Sequence, residues 1–387
     1  MYSRVFKLRA SPATFDGLMD VDREVVRLEV SDPDLVLAFL PASVELQATL
    51  DAMAEVWPES LRCGCETMVQ CAGQDLTREG CLHFFWLEHP GSRVAPHVIT
   101  GSHAQPPGME EVEALAERLG DVTSALALVD GMRFPAQELL TRLGRCRTVP
   151  RLAGGLASQP PPLDGIGSRI FVDTTIHPSA CVLLALHGIA MHVEMFRGWE
   201  AASPIYTVTR AHGNVLYEID GESSVDWYRR FFTVDGELAP MPETAYRFPL
   251  IVDGPSPTRR QLYRRMLAFD RPEGAVSYWG DIAEGDLVRL GIARPGAVRH
   301  HLEQLGSRVP SEAGLLWGWP GREPNRRGQQ PDFEVAQIHE ALAGTTLSGF
   351  LTFAEIGPDV AGRTTFHNQT GILALLREVA ETEDASP

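Results

Sequence analysis

The sequence predicts an α/β (α+β) chain in two parts, built of repeated strand–helix–strand–strand units whose mixed sheets stack with helices on their outer faces. Three observations predict it. Apolar runs of strand length are bounded by proline or glycine, and stretches of helical spacing follow them. The order strand, helix, strand, strand then returns along the chain. Finally, 387 residues exceed the size at which single cores usually divide. A sheet with helices on one face must bury the other, and two such layers packed together do so.

The elements follow in order. Residues 24–30 (EVVRLEV) alternate like a strand. Residues 34–41 (DLVLAFLP) form an apolar run between prolines, which fits a strand buried on both faces. Residues 44–56 carry apolar residues at Val44, Leu46, Leu50, Met53, Ala54 and Val56, a helical spacing. Residues 61–67 and 80–87 are two further strands. The second copy has a strand at 125–130 and a helix at 135–143, with proline near its first turn. Strands at 149–157, 169–174 and 180–187 complete it. A looser third copy has a strand at 314–319, a helix at 332–342, and strands at 348–356 and 363–376. The Pro-, Gly-, His- and Ser-rich stretch 88–109 reads as a loop, as does 320–331. The expected division is an N-terminal segment 1–30, domains 31–210 and 211–376, and an acidic disordered tail 377–387.

Composition narrows the function. The chain carries 34 basic and 51 acidic residues, a net charge of −17. Phosphate contacts need a basic face, so nucleic-acid binding is disfavoured. The arginines of residues 259–265 (RRQLYRR) read instead as a solvated helix face. Lys7 is the single lysine. Phosphate-loop, Schiff-base and kinase chemistries therefore lack their lysine, unless Lys7, near a frayed terminus, supplies it. The first 18 residues have no apolar core of a signal peptide, and the longest apolar stretch, residues 181–191, is too short to cross a bilayer. A cytoplasmic protein with six free thiols, inserted in no membrane, is the expectation. Four of those cysteines lie between positions 63 and 81 without a CxxC pair, so buried thiols fit better than zinc.

No strong catalytic motif occurs. There is no Gly-x-Ser-x-Gly elbow, His339-Glu340 lacks a second histidine, and Gly165-Ile166-Gly167 lacks the third glycine of a dinucleotide turn. Two spots stand out. At residues 62–67 an apolar strand ends in Cys65, Glu66 and Thr67, where Gly64 lets a ligand or another backbone approach; an ordinary strand exit reads the same way. At the other, Glu355 interrupts an apolar run, and a buried carboxylate needs a partner or it protonates. His367, Asn368, Gln369 and Thr370 then place four polar side chains at the start of another apolar strand. They could converge on a ligand's amino, carboxyl or amide group, or form a polar network between two strands.

These stretches resemble the FIST family, a bacterial sensory module. Residues 349–358 with His367-Asn368-Gln369-Thr370 are similar to its Gly-Phe-Tyr-x-x-Gly-Glu and His-Asn-Gln-Thr signatures, and 269–276 with 280–286 also match its C-terminal region. Gly64-Cys65-Glu66-Thr67 resembles the Gly-Cys-Ser-Thr stretch of its N-terminal region, and Gly154-Gly155 its Gly-Gly turn. Residues 209–221 resemble the junction of the halves. The resemblance spans about residues 30–376. The chain departs from the pattern at Trp317-Gly318-Trp319, at Ala354 and at Glu66. Trp317 and Trp319 would offer flat walls to a planar or apolar ligand, or pack as core.

The resemblance implies a sensor of small ligands, amino acids among those suggested, that signals to a separate partner such as a histidine kinase. Some relatives resemble haem-binding nitric-oxide sensors, and the twelve histidines keep haem open, with His187 and His192 beside apolar runs. A third reading makes Cys65 a nucleophile with His367 as base. The expected ligand site joins Cys65, Glu66, Thr67, Gly154, Gly155, Trp317, Trp319, Glu355 and His367 to Thr370. Within it Glu355 would accept from a cationic or donor group, and Asn368 and Gln369 would read amide or carboxylate geometry.

Overall fold

The run at 34–41 becomes strand β2, Leu35–Leu40, and all six of its residues are buried. The alternation of a strand explains how an unbroken apolar run is satisfied. Leu35, Leu37 and Phe39 enter a central core, whereas Val36, Ala38 and Leu40 enter a separate one under helix α1, Leu46–Val56. That helix buries Leu46, Thr49, Leu50 and Met53 and returns the chain to strand β3, Leu61–Glu66, parallel to β2. This computed structural model describes residues 1–7, 32–157, 167–254, 261–294, 309–318, 332–342, 344–352, 354–359 and 362–379.

The same parallel strand–helix–strand pair occurs twice more. Strand β8 (Ser124–Asp130), helix α3 (Ala136–Leu143) and strand β9 (Arg151–Ala157) form one. Strand β14 (Ala313–Gly318), helix α5 (Asp332–Ala341) and strand β15 (Thr346–Leu351) form the other. A later strand returns antiparallel beside the first of each pair: β6 (Cys81–Trp86) on β2, β12 (Ala180–His187) on β8, and β18 (Gly371–Glu378) on β14.

Between the second strand of each pair and its return strand, the chain leaves for a neighbouring sheet. The hairpin β4–β5 (Gln70–Ala72, Asp75–Thr77) pairs with β15, the hairpin β10–β11 (Ile170–Val172, Thr175–His177) with β3, and the hairpin β16–β17 (Glu355–Pro358, Thr364–His367) with β9. Each sheet is thus completed by a hairpin from another segment. An edge strand finishes each one: β1 (Tyr2–Lys7) on β6, β7 (Arg93–Thr100) on β12 and β13 (Ile189–Phe196) on β18. The result is three six-stranded sheets with a common order.

One position recurs in the three second strands. Gly64, Gly154 and Gly349 each face a main-chain oxygen of the paired strand, where a Cβ would lie 1.9 Å from Ala38 O, 2.0 Å from Ala127 O and 1.8 Å from Leu316 O. No larger residue fits at any of them. The inner faces of all three sheets share one apolar core, which includes Phe39, Cys65, Leu128, Ile170, Trp317 and Phe350. The outer faces carry helix α1; helices α2 (Met109–Arg118) and α3; and helix α5.

Residues 199–293 are inserted between β13 and β14. They form a nine-stranded sheet around helix α4, Ser224–Phe232, with their own core of Trp227, Tyr228, Tyr278 and neighbours. Ser223 caps that helix through the Asp226 amide, 3.1 Å away. Trp199 Nε1 ties the insertion to the rest by donating to Gln369 O at 2.7 Å.

Several expectations need correction. The chain is a mixed α/β fold dominated by strands, but three sheets enclose one core instead of two layers stacking. The segment around Lys7 is not frayed: Tyr2–Lys7 is a paired edge strand. The stretch 88–109 is not all loop. It contains β7, which tolerates Pro96 because an edge strand needs only one ladder of hydrogen bonds. Residues 348–356 and 363–376 are each two strands, because the hairpin β16–β17 crosses to another sheet. Within 259–265, Leu262–Arg264 is a strand, and Arg264 and Arg265 are buried rather than solvated. The expected strand at 24–30 and loop at 320–331 lie outside the described residues, as does the expected disordered tail 377–387 from residue 380 on; its first residues, Arg377 and Glu378, are instead the end of paired strand β18. No helix among the described residues is long and apolar enough to cross a membrane.

Candidate functional site

The carboxyl ends of the paired strands gather buried polar groups, the usual place for ligands in α/β sheets. Glu355 opens β16, opposite Gly155 of β9 on one side and His367 of β17 on the other. Its neighbours Ile356 and Phe366 point outward into the helix-covered core. Alternation therefore turns Glu355 and His367 toward the centre of the molecule. Both are buried, and so are Asn368, Gln369 and Thr370. Glu355 Oε2 accepts from the Thr370 hydroxyl at 2.8 Å and the Thr370 amide at 3.3 Å. Gln369 makes the turn with φ +53°.

His367 Nε2 donates to Pro358 O at 3.2 Å. A carbonyl only accepts, so this nitrogen carries the proton and Nδ1 presents a lone pair. Burial, then the charges of Arg197 and Arg264, hold the imidazole down at about 4, so it is neutral at pH 7. Its Nδ1 has no hydrogen-bond partner among the described residues. A second buried histidine, His83, lies 2.6 Å from Ser348 Oγ through Nδ1 and stacks on Phe85, and burial pushes it down to about 3.

Trp317 stands across from Gly155. The absence of a side chain at Gly155 makes room for the indole, since a Cβ there would lie 2.6 Å from Trp317 Cδ1. Trp317 Nε1 is buried and has no hydrogen-bond partner among the described residues. One register row then runs from Trp317 through Phe350 to Gln70. Gln70 Nε2 donates to Thr67 O at 2.9 Å and Thr67 Oγ1 at 2.8 Å, and its buried Oε1 has no partner among the described residues. Among the described residues, the strand ends therefore hold Gln70 Oε1 and His367 Nδ1 as acceptors and Trp317 Nε1 as a donor without a hydrogen-bond partner. Each such group costs about 1–3 kcal/mol unless something pairs with it.

Of the residues expected in the site, Gly155, Trp317, Glu355, His367 and Thr370 lie together, with Asn368 and Gln369 in the turn between. Thr67 joins them through Gln70. Gly154 faces Ala127 and serves sheet packing. Glu66 is bound to Arg169, whose Nε donates to Oε2 at 2.7 Å and whose Nη2 donates to Oε1. Cys65 sits in the central core beside Phe39 and Ile170. Burial, followed by the Glu66 charge, pushes its thiol well above the ordinary range. That keeps it protonated and unsuited to nucleophilic attack. Trp319 lies outside the described residues. Gln70 was missed because no motif marks it; only its pairing opposite Phe350 reveals its position.

Haem does not fit the two histidines considered for it. His192 is bonded to Glu194 at 2.7 Å with a side chain 41% exposed, and His187 stands at a strand end beside Arg93. Neither has the apolar pocket a proximal ligand needs. Among the described residues no group of three or more His, Cys, Asp or Glu is placed to hold a metal ion.

This arrangement defines an α/β protein with uncommitted hydrogen-bonding groups sealed at its strand ends. Residues 34–222 match the FIST N domain, and residues 224–358 match the FIST C domain. The chain belongs to the FIST family, whose domains are sensory and implicated in small-ligand binding and signal transduction. Among solved structures, it is similar to cyanuric acid hydrolase from A. caulinodans at 9% identity and a TM-score of 0.33, over 98% of this chain and 99% of that one. So distant a likeness carries no argument about chemistry. No curated protein matches the sequence.

Proposed function

We propose that this protein is a cytoplasmic sensor that binds an amino acid or related metabolite at the strand ends and signals to a separate partner, such as a histidine kinase, without catalysis of its own. One observation carries the reading: among the described residues, Gln70 Oε1, Trp317 Nε1 and His367 Nδ1 are buried at the strand ends without a hydrogen-bond partner, and Glu355 and Thr370 are hydrogen-bonded there as well. A ligand that both donates and accepts would satisfy them, and their opposite hydrogen-bonding roles suit an amide or a carboxylate with a nearby N–H. The neutral state of His367 supports this, because an acceptor nitrogen is what such an N–H requires.

Native mass spectrometry of freshly purified protein, run beside a denatured sample, tests the proposal. An added mass of metabolite size that departs on denaturation is expected. Thermal-shift screening against amino acids should then identify a compound that raises Tm, since a ligand of the folded state must stabilise it. A clean apo mass together with no stabilising compound would overturn the reading.

A further inference from the structure

The residue that follows strand β13 is a half-buried arginine, Arg197. The last register pair between β13 and β18 is Phe196 with Gly371. Gly371 lets the Phe196 ring lie against it, since a Cβ there would be 1.9 Å from Phe196 Cε2. Continuing that antiparallel register sets Arg197 level with Thr370. Two residues on, Trp199 Nε1 donates to Gln369 O at 2.7 Å. Residues 197–199 therefore run beside the turn that begins after His367 and whose Thr370 holds Glu355.

Arg197 is held by an uncharged group. Its Nη1 donates to Gln261 Oε1 at 3.2 Å. Its Nε is buried and has no hydrogen-bond partner among the described residues. No carboxylate among the described residues forms an ion pair with this guanidinium, which keeps its proton in any protein setting. Other half-buried or buried arginines of the chain meet a carboxylate: Arg169 meets Glu66, Arg62 meets Asp173 and Arg289 meets Asp253. The positive charge of Arg197 also reaches the strand-end cluster. After burial, it is the first of the causes that keep His367 neutral.

We propose that Arg197 is the specificity-determining residue of the strand-end site, and that it selects a ligand with a free carboxylate next to an N–H donor. The inference rests on the reading of the strand ends as a ligand site, and it chooses a carboxylate over an amide as the group recognised. A guanidinium fork meets both oxygens of a carboxylate, whereas an amide offers one acceptor oxygen and two donors that the arginine would repel. The adjacent N–H is what the lone pair of His367 Nδ1 accepts. Glu355 is held by the same turn, and its charge disfavours a dianion, so the ligand carries a single carboxylate.

The test measures Tm and calorimetric affinity of the full chain with the proteinogenic L-amino acids and with their carboxamides, at one ionic strength. An acid that stabilises, with its carboxamide binding about tenfold or more weakly, is expected. Arg197→Gln should weaken the acid about ten- to a hundredfold, as loss of hydrogen bonds from a charged group does, and should leave the carboxamide unchanged. Arg197→Lys, which keeps the charge but not the fork, should weaken the acid about tenfold. Gln261→Glu leaves the arginine in place but offers it an internal carboxylate, and should weaken the acid by a similar factor. Arg230→Gln, on the exposed side of helix α4, should change nothing. A carboxamide that binds as tightly as its acid, or an acid affinity equal in native protein and Arg197→Gln, would overturn the inference and leave a ligand site at the strand ends. No binding by any acid would overturn it as well, and a co-purified metabolite in that case would leave the sensory reading standing.

Discussion

Gly155 and Trp317 are in contact across two sheets: the indole occupies the space a side chain at 155 would fill, with Cδ1 2.6 Å from the position of a Cβ. Gly155→Ala must push the ring away. The expected cost is about 1–3 kcal/mol, typical of overpacking a full core. Urea unfolding followed by tryptophan emission checks it, and an unchanged midpoint would show that the indole moves freely.

The three glycines that face main-chain oxygens make a second prediction. Gly64→Ala, Gly154→Ala and Gly349→Ala should each destabilise by about 3 kcal/mol or more, because neither strand can retreat without breaking its ladder. Gly144→Ala is the control. Its backbone is already helical, at φ −61°, and the nearest contact to a new Cβ is 3.4 Å. That change should be neutral or stabilise by about 0.5 kcal/mol. Chemical denaturation of the four variants separates the classes.

Much of this was legible beforehand. The run at 34–41 reads as a doubly buried strand because proline bounds it and no polar residue interrupts it, and β2 is that strand. The position of Glu355 in an apolar run, with His367 to Thr370 nearby, pointed to a buried polar cluster. Which strands pair across the molecule was not legible. Local periodicity says that Gln70 is near a strand, but not that its partner is Phe350, 280 residues away in sequence. Glu66 misled for the same reason: its partner Arg169 arrives on a hairpin from another sheet.

That ion pair supports a third prediction. The Glu66 side chain is fully buried, while Arg169 is 37% exposed. Arg169→Met removes the guanidinium from a buried carboxylate, which keeps the residue 169 amide at 3.1 Å, and should cost about 2 kcal/mol, below the range for fully buried pairs because solvent reaches the arginine side. Glu66→Gln keeps the shape, leaves the arginine to water, and should cost less. Equal losses would mean that the carboxylate is not the group at risk.

The neutral histidines set an acid limit. Burial holds His367 at about 4 and His83 at about 3, against an ordinary value of 6.5. Between 6.5 and those values the unfolded chain binds protons that the native state does not, so stability rises with pH. Each group adds a slope of about 1.4 kcal/mol per pH unit, and its contribution is fully present above 6.5. Unfolding free energies measured from pH 8 to pH 5 should fall below pH 6.5, and the fall should be shallower in His367→Gln.

Thiol labelling gives a fifth check. Cys63, Cys65, Cys71, Cys81 and Cys181 are buried, and Cys146 is half-buried. Ellman's reagent should therefore modify one thiol quickly in native protein and all six after denaturation. Fast loss of a second thiol, mapped to Cys65, would reopen a nucleophilic role.

The lending of hairpins among the three sheets has a further consequence. A chain cut near residue 223 would separate β4–β5 from β15 and β16–β17 from β9, leaving each fragment with sheets that the other must finish. Neither fragment should fold alone, and each would expose open edges prone to aggregation. Mixed together they should reassemble, as in split-protein complementation. The association would be slow, because every closing contact joins residues far apart in sequence.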